Sequence, residues 1–372
     1  MLWRLCVFAA LTASWIGLIQ TTALGETRVV GYFRAWATND YPYTKVDYSQ
    51  LTHIAHAFVW PMTNGTLNVP DYFFYPELVT VAHAHGVKIV VSVGGGSKSI
   101  HFPMMANDPV ARSNFVQQLT AFCVSNKYDG ADYDWEAPAS ATDMTNFTSL
   151  VRETRAAFDA AKPHMSVSAA VKRTASNGQW LDVGQLRNYL DWFGVMTYNF
   201  HTTSSRHSGY SAPLYPAPGE PHGPTYCVDA AVRYYLDRGV ARTNLLMGFV
   251  FHGYQYASTN LYATNTLASA SMYSNVVNNL SNGWTRVWDS AAMVPYLVDP
   301  NHTQLITYDD PQSMRYKCEY AVKQGLGGTI IWALGQDTYT GSTNELLRLI
   351  GKELLHAGNA SATSTNRVAK EK

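Results

Sequence analysis

Residues 128–136, Tyr128-Asp129-Gly130-Ala131-Asp132-Tyr133-Asp134-Trp135-Glu136, carry four carboxylates with no lysine or arginine among them. Crowded carboxylates either ligate a hard cation or hold and hand over protons. A calcium loop sets Gly, Asn and Asp on flexible backbone between its ligands, and Tyr133 and Trp135 do not fit that pattern. The segment reads instead as a β-strand, in which alternate side chains share a face. Asp132, Asp134 and Glu136 then point the same way, with about 6.6 Å between successive Cα atoms on that face. Asp129 has the opposite parity and is expected to serve structure at the strand's start. Three carboxyl groups facing a low-dielectric interior cannot all be ionised, because repulsion and desolvation both favour the protonated form. The expectation is that this crowding keeps a proton on Glu136, at the open end of the row, and makes it a general acid.

Such a row needs a scaffold that brings it to a cleft. Short apolar, β-branched or aromatic runs recur at 28–34, 52–59, 88–93, 129–136, 165–170, 192–198, 245–251 and 328–334. Helical patterns lie between them at 74–85, 108–126, 142–161, 225–238, 312–324 and 343–355. Eight strands alternating with helices predict an α/β fold, a (β/α)8 TIM barrel. Loops that follow barrel strands lie on the catalytic face. Two are long here: 201–224, rich in Pro, Ser, Gly and His, and 252–310, which predicts a modest insertion after the seventh strand.

The chain balances 27 basic against 27 acidic residues, which offers no electrostatic reason for nucleic acid or an anionic membrane as partner. Arg4, the apolar run from Leu5 to Ile19 and Ala23-Leu24-Gly25 read as a secretion signal over 1–25, with cleavage near Gly25 and an extracellular product. A catalytic domain is expected over 26–355, a disordered polar tail over 356–372, and a monomer. No later segment resembles a membrane span. Once Cys6 leaves with the signal, Cys123, Cys227 and Cys318 allow at most one disulfide, and buried thiols are the default. The twelve histidines show no metal-ligand spacing, and His201, His207, His222 and His252 are expected to be solvated or hydrogen-bonded loop residues. Gly94 to Ser99 lacks the G-K-[ST] spacing of a phosphate loop.

Asp129-Gly130-Ala131-Asp132-Tyr133-Asp134-Trp135-Glu136 resembles the D-x-x-D-x-D-x-E signature of family 18 glycoside hydrolases, the chitinase family. Ser92-Val93-Gly94-Gly95 is similar to the family's S-x-G-G motif and Met196-Thr197-Tyr198 to its M-x-Y motif. Gly327-Gly328 followed by Trp332 is similar to its last strand. Gly31-Tyr32-Phe33, Thr52-His53-Ile54 with Ala57-Phe58, and Tyr308-Asp309-Asp310 with Ser313 also look like family counterparts. The resemblance covers most of the chain after the signal. It implies a retaining hydrolase of β-1,4-N-acetylglucosamine linkages, acting on chitin or its oligosaccharides with no metal or organic cofactor. Family 18 is a substrate-assisted exception to the two-carboxylate scheme. Glu136 would protonate the leaving oxygen while the substrate's own acetamido carbonyl attacks. Asp134 would bond the acetamido N–H, Asp132 would share its proton, Tyr198 would donate to the acetamido carbonyl, and Trp332 would floor the sugar site.

Other residues carry plainer readings. Ser92, Gly94 and Gly95 permit close backbone packing beside the acidic strand. Met196, Tyr32 and Phe58 stand either as barrel filler or as lining of the site. Trp36, Trp60, Trp284 and Trp288 are candidates for further sugar subsites. Two departures stand out: Asn199 follows Tyr198 where the family carries Asp, and His252-Gly253-Tyr254 replaces Y-G-R. An endo-β-N-acetylglucosaminidase on N-glycans, using the same chemistry, is the alternative. A non-catalytic chitin-binding lectin on this barrel typically lacks one of the acids, and all four are present here.

Overall fold

Eight apolar runs become the strands of one closed parallel sheet in the computed structural model, which describes residues 27–264, 266–338 and 344–356. The expected signal at 1–25 and residues 357–372 of the expected tail lie outside the described residues. The strands are β1 (Arg28–Arg34), β2 (His53–Pro61), β3 (Lys88–Gly94), β4 (Gly130–Asp134), β5 (Ser166–Val171), β6 (Trp192–Val195), β7 (Leu245–Val250) and β8 (Gly328–Trp332). Each pairs with the next in parallel, and β1 pairs with both β2 and β8, which closes the barrel. Closure leaves no exposed edge. The predicted (β/α)8 architecture is the one observed.

The helices outside the barrel include α1 (Pro76–Ala84), α2 (Pro109–Ser125), α3 (Ala141–Ala161), α4 (Val228–Asp237), α5 (Pro311–Gln324) and α6 (Glu345–Leu354). Local chemistry starts several of them. Asp108 accepts hydrogen bonds from the Val110 and Ala111 N–H groups, with Pro109 in the first turn of α2. Ser140 caps α3, and Asp310 with Ser313 forms a capping box on α5.

Strand parity sorts side chains between two apolar layers. Ala131, Tyr133 and Trp135 join the large core between sheet and helices. There the Tyr133 hydroxyl lies 2.6 Å from Thr154 of α3, and Trp135 stacks on Phe102 with ring centroids 5.0 Å apart. The opposite parity faces the barrel interior, where Val30, Tyr32, Ala55, Val90, Leu246 and Ile330 pack together. Asp132 and Asp134 are buried on the same side of β4.

Four strands, β4, β6, β7 and β8, end earlier than their runs suggest, and the ends of β4 and β6 shape the site. β4 stops at Asp134 because its neighbour β3 ends opposite, at Gly94, and Glu136 lies beyond the ladder at the barrel's mouth. β6 stops at Val195, where the Thr197 N–H turns back onto the Val195 carbonyl and Asn199 adopts φ +59°. After β7 the chain builds the predicted insertion. It is a five-stranded antiparallel sheet of 252–256, 268–272, 285–289, 294–298 and 305–307, with a helix over 273–281. Among the described residues no helix is long and apolar enough to cross a membrane. Cys123, Cys227 and Cys318 are buried free thiols.

Candidate active site

Asp132 is held by three hydroxyl donors from three other strands. Tyr32 donates to its Oδ2 at 2.7 Å, Ser92 to the same oxygen at 3.0 Å and Ser168 to Oδ1 at 2.7 Å. Burial raises this carboxyl above the ordinary Asp range, and the three hydrogen bonds oppose the rise. Asp134 has no such cradle. Its Oδ1 is buried without a hydrogen-bond partner, and burial, then Glu136, then Asp132 push its carboxyl well above the ordinary range. Both inner aspartates are thus raised, Asp134 the further of the two.

Glu136 is held from two sides. Its Oε1 accepts from the Gly96 N–H at 3.0 Å, and its Oε2 pairs with the Lys172 ammonium, which arrives from the end of β5. Both partners are donors, so both carboxyl oxygens act as acceptors, the arrangement of a carboxylate. The cation missing from residues 128–136 is supplied by another strand. Lys172 is also the one cation that works against the raised Asp134. Lys172→Met is expected to let the acid row keep its proton to higher pH, moving the alkaline limb of the pH–kcat profile up by about one unit. A limb that stays in place would show that Lys172 does not tune the row.

The row opens into a groove of about 430 Å³ lined by Trp36, Phe58, Trp60, Tyr72, residues 95–98, Asp134, Glu136, Met196, Tyr198, Asn199 and Trp332. Trp332 ends β8 and stacks against Phe58 at 5.7 Å, while Phe58 stacks in turn on the half-exposed Trp36 at 5.8 Å. Tyr198 is buried, and burial followed by the charges of Asp134, Glu136 and Asp132 pushes its hydroxyl well above the ordinary range, so it stays a neutral donor. Glycine is required at two points. A Cβ on Gly94 (φ +109°) would sit 2.5 Å from the Asp134 carbonyl oxygen, and one on Gly95 (φ +79°) 2.5 Å from the Phe58 ring. Gly95 N–H also donates to Asp134 O at 2.8 Å, which ties the loop to the acidic strand.

Several candidates lie elsewhere. Tyr32 is beneath the groove rather than on its wall, with its hydroxyl on Asp132 and its ring edge-on to Trp332 at 5.7 Å. Asp129 meets His83 at 2.7 Å and the Ile89 N–H at 2.9 Å, at the start of β4. Trp284 packs against the outer core, and Trp288 packs beside Arg286 and Tyr316; neither lines the groove. Sequence reasoning missed Lys98, whose ammonium sits 4.2 Å from the Trp60 ring centre, and Tyr72. It also missed a second hollow on the other side of Glu136, lined by Pro138, Lys172 and Trp180. Lys172-Arg173 was the available signal: two cations directly after an apolar strand stand at the catalytic mouth.

The sequence matches the glycosyl hydrolases family 18 over residues 28–337. The chain belongs to glycosyl hydrolases family 18. It is 31% identical to a class V chitinase of Arabidopsis thaliana over 82% of this chain and 85% of that protein. It is 27% identical to chitinase A1 of Niallia circulans over 87% of this chain, which spans 58% of that protein's length. The fold superimposes on a Group IV chitinase of Ostrinia furnacalis, crystallised with allosamidin, with a TM-score of 0.81 at 27% identity, covering 89% of this chain and 99% of that one.

Within the family 18 frame, the two departures from the pattern meet each other. The Tyr254 hydroxyl donates to Asn199 Oδ1 at 2.9 Å, and His252 Nε2 lies 3.1 Å from the same oxygen. Burial lowers His252 to about 4, so it is a neutral ring at neutral pH. A neutral amide thus faces neutral donors, and the substitutions at 199, 252 and 254 form one hydrogen-bonded unit. The loop histidines 201, 222 and 252 are hydrogen-bonded, as expected. Spacing along the chain shows no metal pattern, yet folding places His201, Glu220 and His222 with ligand atoms within 4.8 Å of one another.

Proposed function

We propose that this family 18 member is a chitinase that cleaves β-1,4 linkages between N-acetylglucosamine residues with retention, the substrate's acetamido group serving as nucleophile. The observation that carries the reading is Asp134: a buried carboxyl with an unpartnered Oδ1, set between Asp132 and Glu136 in a groove floored by Trp332. An acetamido N–H is the donor that oxygen lacks. With the sugar seated, the acetamido carbonyl oxygen attacks C1 as the C1–O bond breaks, and Glu136 passes a proton to the departing oxygen. Asp134 supplies that proton's store and then, ionised, stabilises the positive ring that forms. Tyr198 donates its hydroxyl to the acetamido oxygen and fixes the attack geometry. Water then opens the ring at C1 and gives its proton to Glu136. The hollow bearing Trp180 lies where the leaving saccharide would rest, since Glu136 borders both spaces.

Product analysis tests the proposal. Incubated with chitin oligosaccharides, the protein is expected to release chitobiose with the β-anomer in excess, and Glu136→Gln to release none. Release of intact N-glycans from a high-mannose glycoprotein, with chitin oligosaccharides untouched, would select the endo-β-N-acetylglucosaminidase alternative. Trp332→Ala removes the platform beneath the distorted ring while leaving the acids in place. It is expected to lower kcat/KM about 10- to 100-fold, as for roughly 1.4–2.7 kcal/mol of lost contact. A loss under twofold would mean that the sugar does not stack there. We also propose export with cleavage near Gly25, supported by Arg4 and the apolar run to Ile19; N-terminal sequencing of the protein from a secreting host checks it.

A further inference from the structure

The long loop after β6 gathers a polar cluster outside the groove. His201 is fully buried, and its Nδ1 lies 3.2 Å from the His207 carbonyl oxygen. A carbonyl only accepts, so Nδ1 carries the hydrogen, and the neutral ring presents a lone pair at Nε2. That Nε2 faces the Glu220 carboxylate at 2.9 and 3.2 Å, and the same carboxylate is met by His222 Nδ1 at 3.0 Å. A nitrogen lone pair and a carboxylate oxygen repel at that range unless a positive centre lies between them. The centre is either a proton, on the imidazole or on the carboxyl, or a metal ion.

Three observations favour the metal. The donor atoms of His201, Glu220 and His222 all lie within 4.8 Å of one another. Tetrahedral zinc, with bonds of about 2.0–2.2 Å, sets its ligands roughly 3.3 Å apart, near the contacts already present. The His201 Nδ1–H bond to a backbone carbonyl is also the outer contact that orients a metal-bound imidazole. Finally, further donors stand unused. His207 Nδ1 and the Tyr262 hydroxyl are buried without partners among the described residues. Their rings lie 6.1 Å from His222 and 5.8 Å from His201 respectively.

We propose that His201, Glu220 and His222 bind one zinc-class divalent cation, with His207 and Tyr262 as neighbouring further donors. Two imidazoles and one carboxylate suit zinc and its neighbours; calcium and magnesium prefer oxygen alone. The ion's role is structural. His207 bridges to Thr264, and Ser208 N–H donates to Ala263 O at 2.9 Å, so the clamped loop is bound to the insertion. The same loop runs on directly from Met196, Tyr198 and Asn199 of the groove. The site stands whether or not the chain hydrolyses chitin.

The test uses the full chain, stripped with EDTA, freed of chelator and titrated with Zn²⁺ by calorimetry. One equivalent is expected to bind, with a Tm that rises with Zn²⁺ and does not respond to Ca²⁺. His222→Ala removes a side chain that is 45% exposed, so the fold survives; it is expected to weaken Zn²⁺ binding at least about 30-fold and erase the Tm response. Glu220→Gln should do the same, while Glu136→Gln keeps the full equivalent. Absence of Zn²⁺ binding by the unmodified chain, or equal binding by His222→Ala and Glu220→Gln, overturns the proposal. A Tm that falls in Glu220→Gln with no Zn²⁺ response in the parent also overturns it, and assigns the positive centre to a proton.

Discussion

Glu136→Gln is expected to lower kcat on a chitin oligosaccharide about a thousandfold while KM stays within a few-fold of the parent. The amide matches the carboxyl in shape and still accepts from the Gly96 N–H, so the groove keeps its form. What is lost is the proton passed to the leaving oxygen and later recovered from water. General acid–base catalysis contributes about 10²–10⁴-fold, and Glu136 plays both parts in turn. The fold should register the change weakly. The Lys172–Glu136 pair borders the open hollow, with side chains 20% and 25% exposed, so water reaches the ammonium left behind. A circular dichroism melt within a few degrees of the parent separates a dead enzyme from an unfolded one. If kcat falls less than tenfold, another group donates the proton and the assignment of Glu136 is lost.

Much of the frame behind that prediction was legible in the letters, because it rests on local periodicity. Alternation along 130–134 placed Asp132 and Asp134 on one face, and it set Asp129 apart at the strand's start, where the structure pairs it with His83. Eight apolar runs spaced by helical patterns closed as a barrel because buried parallel strands need apolar residues on both faces. What periodicity does not carry is the partner that arrives from elsewhere. Lys172 reaches Glu136 across 36 residues and also opposes the rise of Asp134, an effect that no single strand decides. Tyr32 reaches Asp132 across 100 residues, which decides between barrel filler and site lining in favour of a support beneath the floor. Glu220 and His222 are two residues apart but meet His201 only because the loop doubles back. Trp284 and Trp288 looked like groove tryptophans by type alone; the insertion carries them away from it.

The same accounting predicts that Asp134→Asn will make the protein more stable and less active. Burial, Glu136 and Asp132 hold the Asp134 carboxyl well above its ordinary range, and its Oδ1 has no partner. The folded chain therefore binds this proton more tightly than the unfolded chain does. Between the unfolded value, near ~3.9, and the folded one, the native state carries more protons, so stability falls as pH rises through that window. Above the window the loss is complete. Asparagine does not titrate and removes the loss, so the gap in Tm between variant and parent should be near zero at about pH 3.5–4 and open as pH rises. At pH 7 the variant is expected to melt a few degrees above the parent, because it no longer carries the cost of ionising a buried carboxyl. Activity moves the other way. A neutral amide neither stores the proton nor offsets the positive ring, and kcat is expected to fall at least about 100-fold. A melt series across pH, run beside kcat, decides it. Should the variant melt at or below the parent at pH 7, Asp134 is stabilised in its ionised form by something other than substrate, and its unpartnered oxygen is not the seat of the acetamido group.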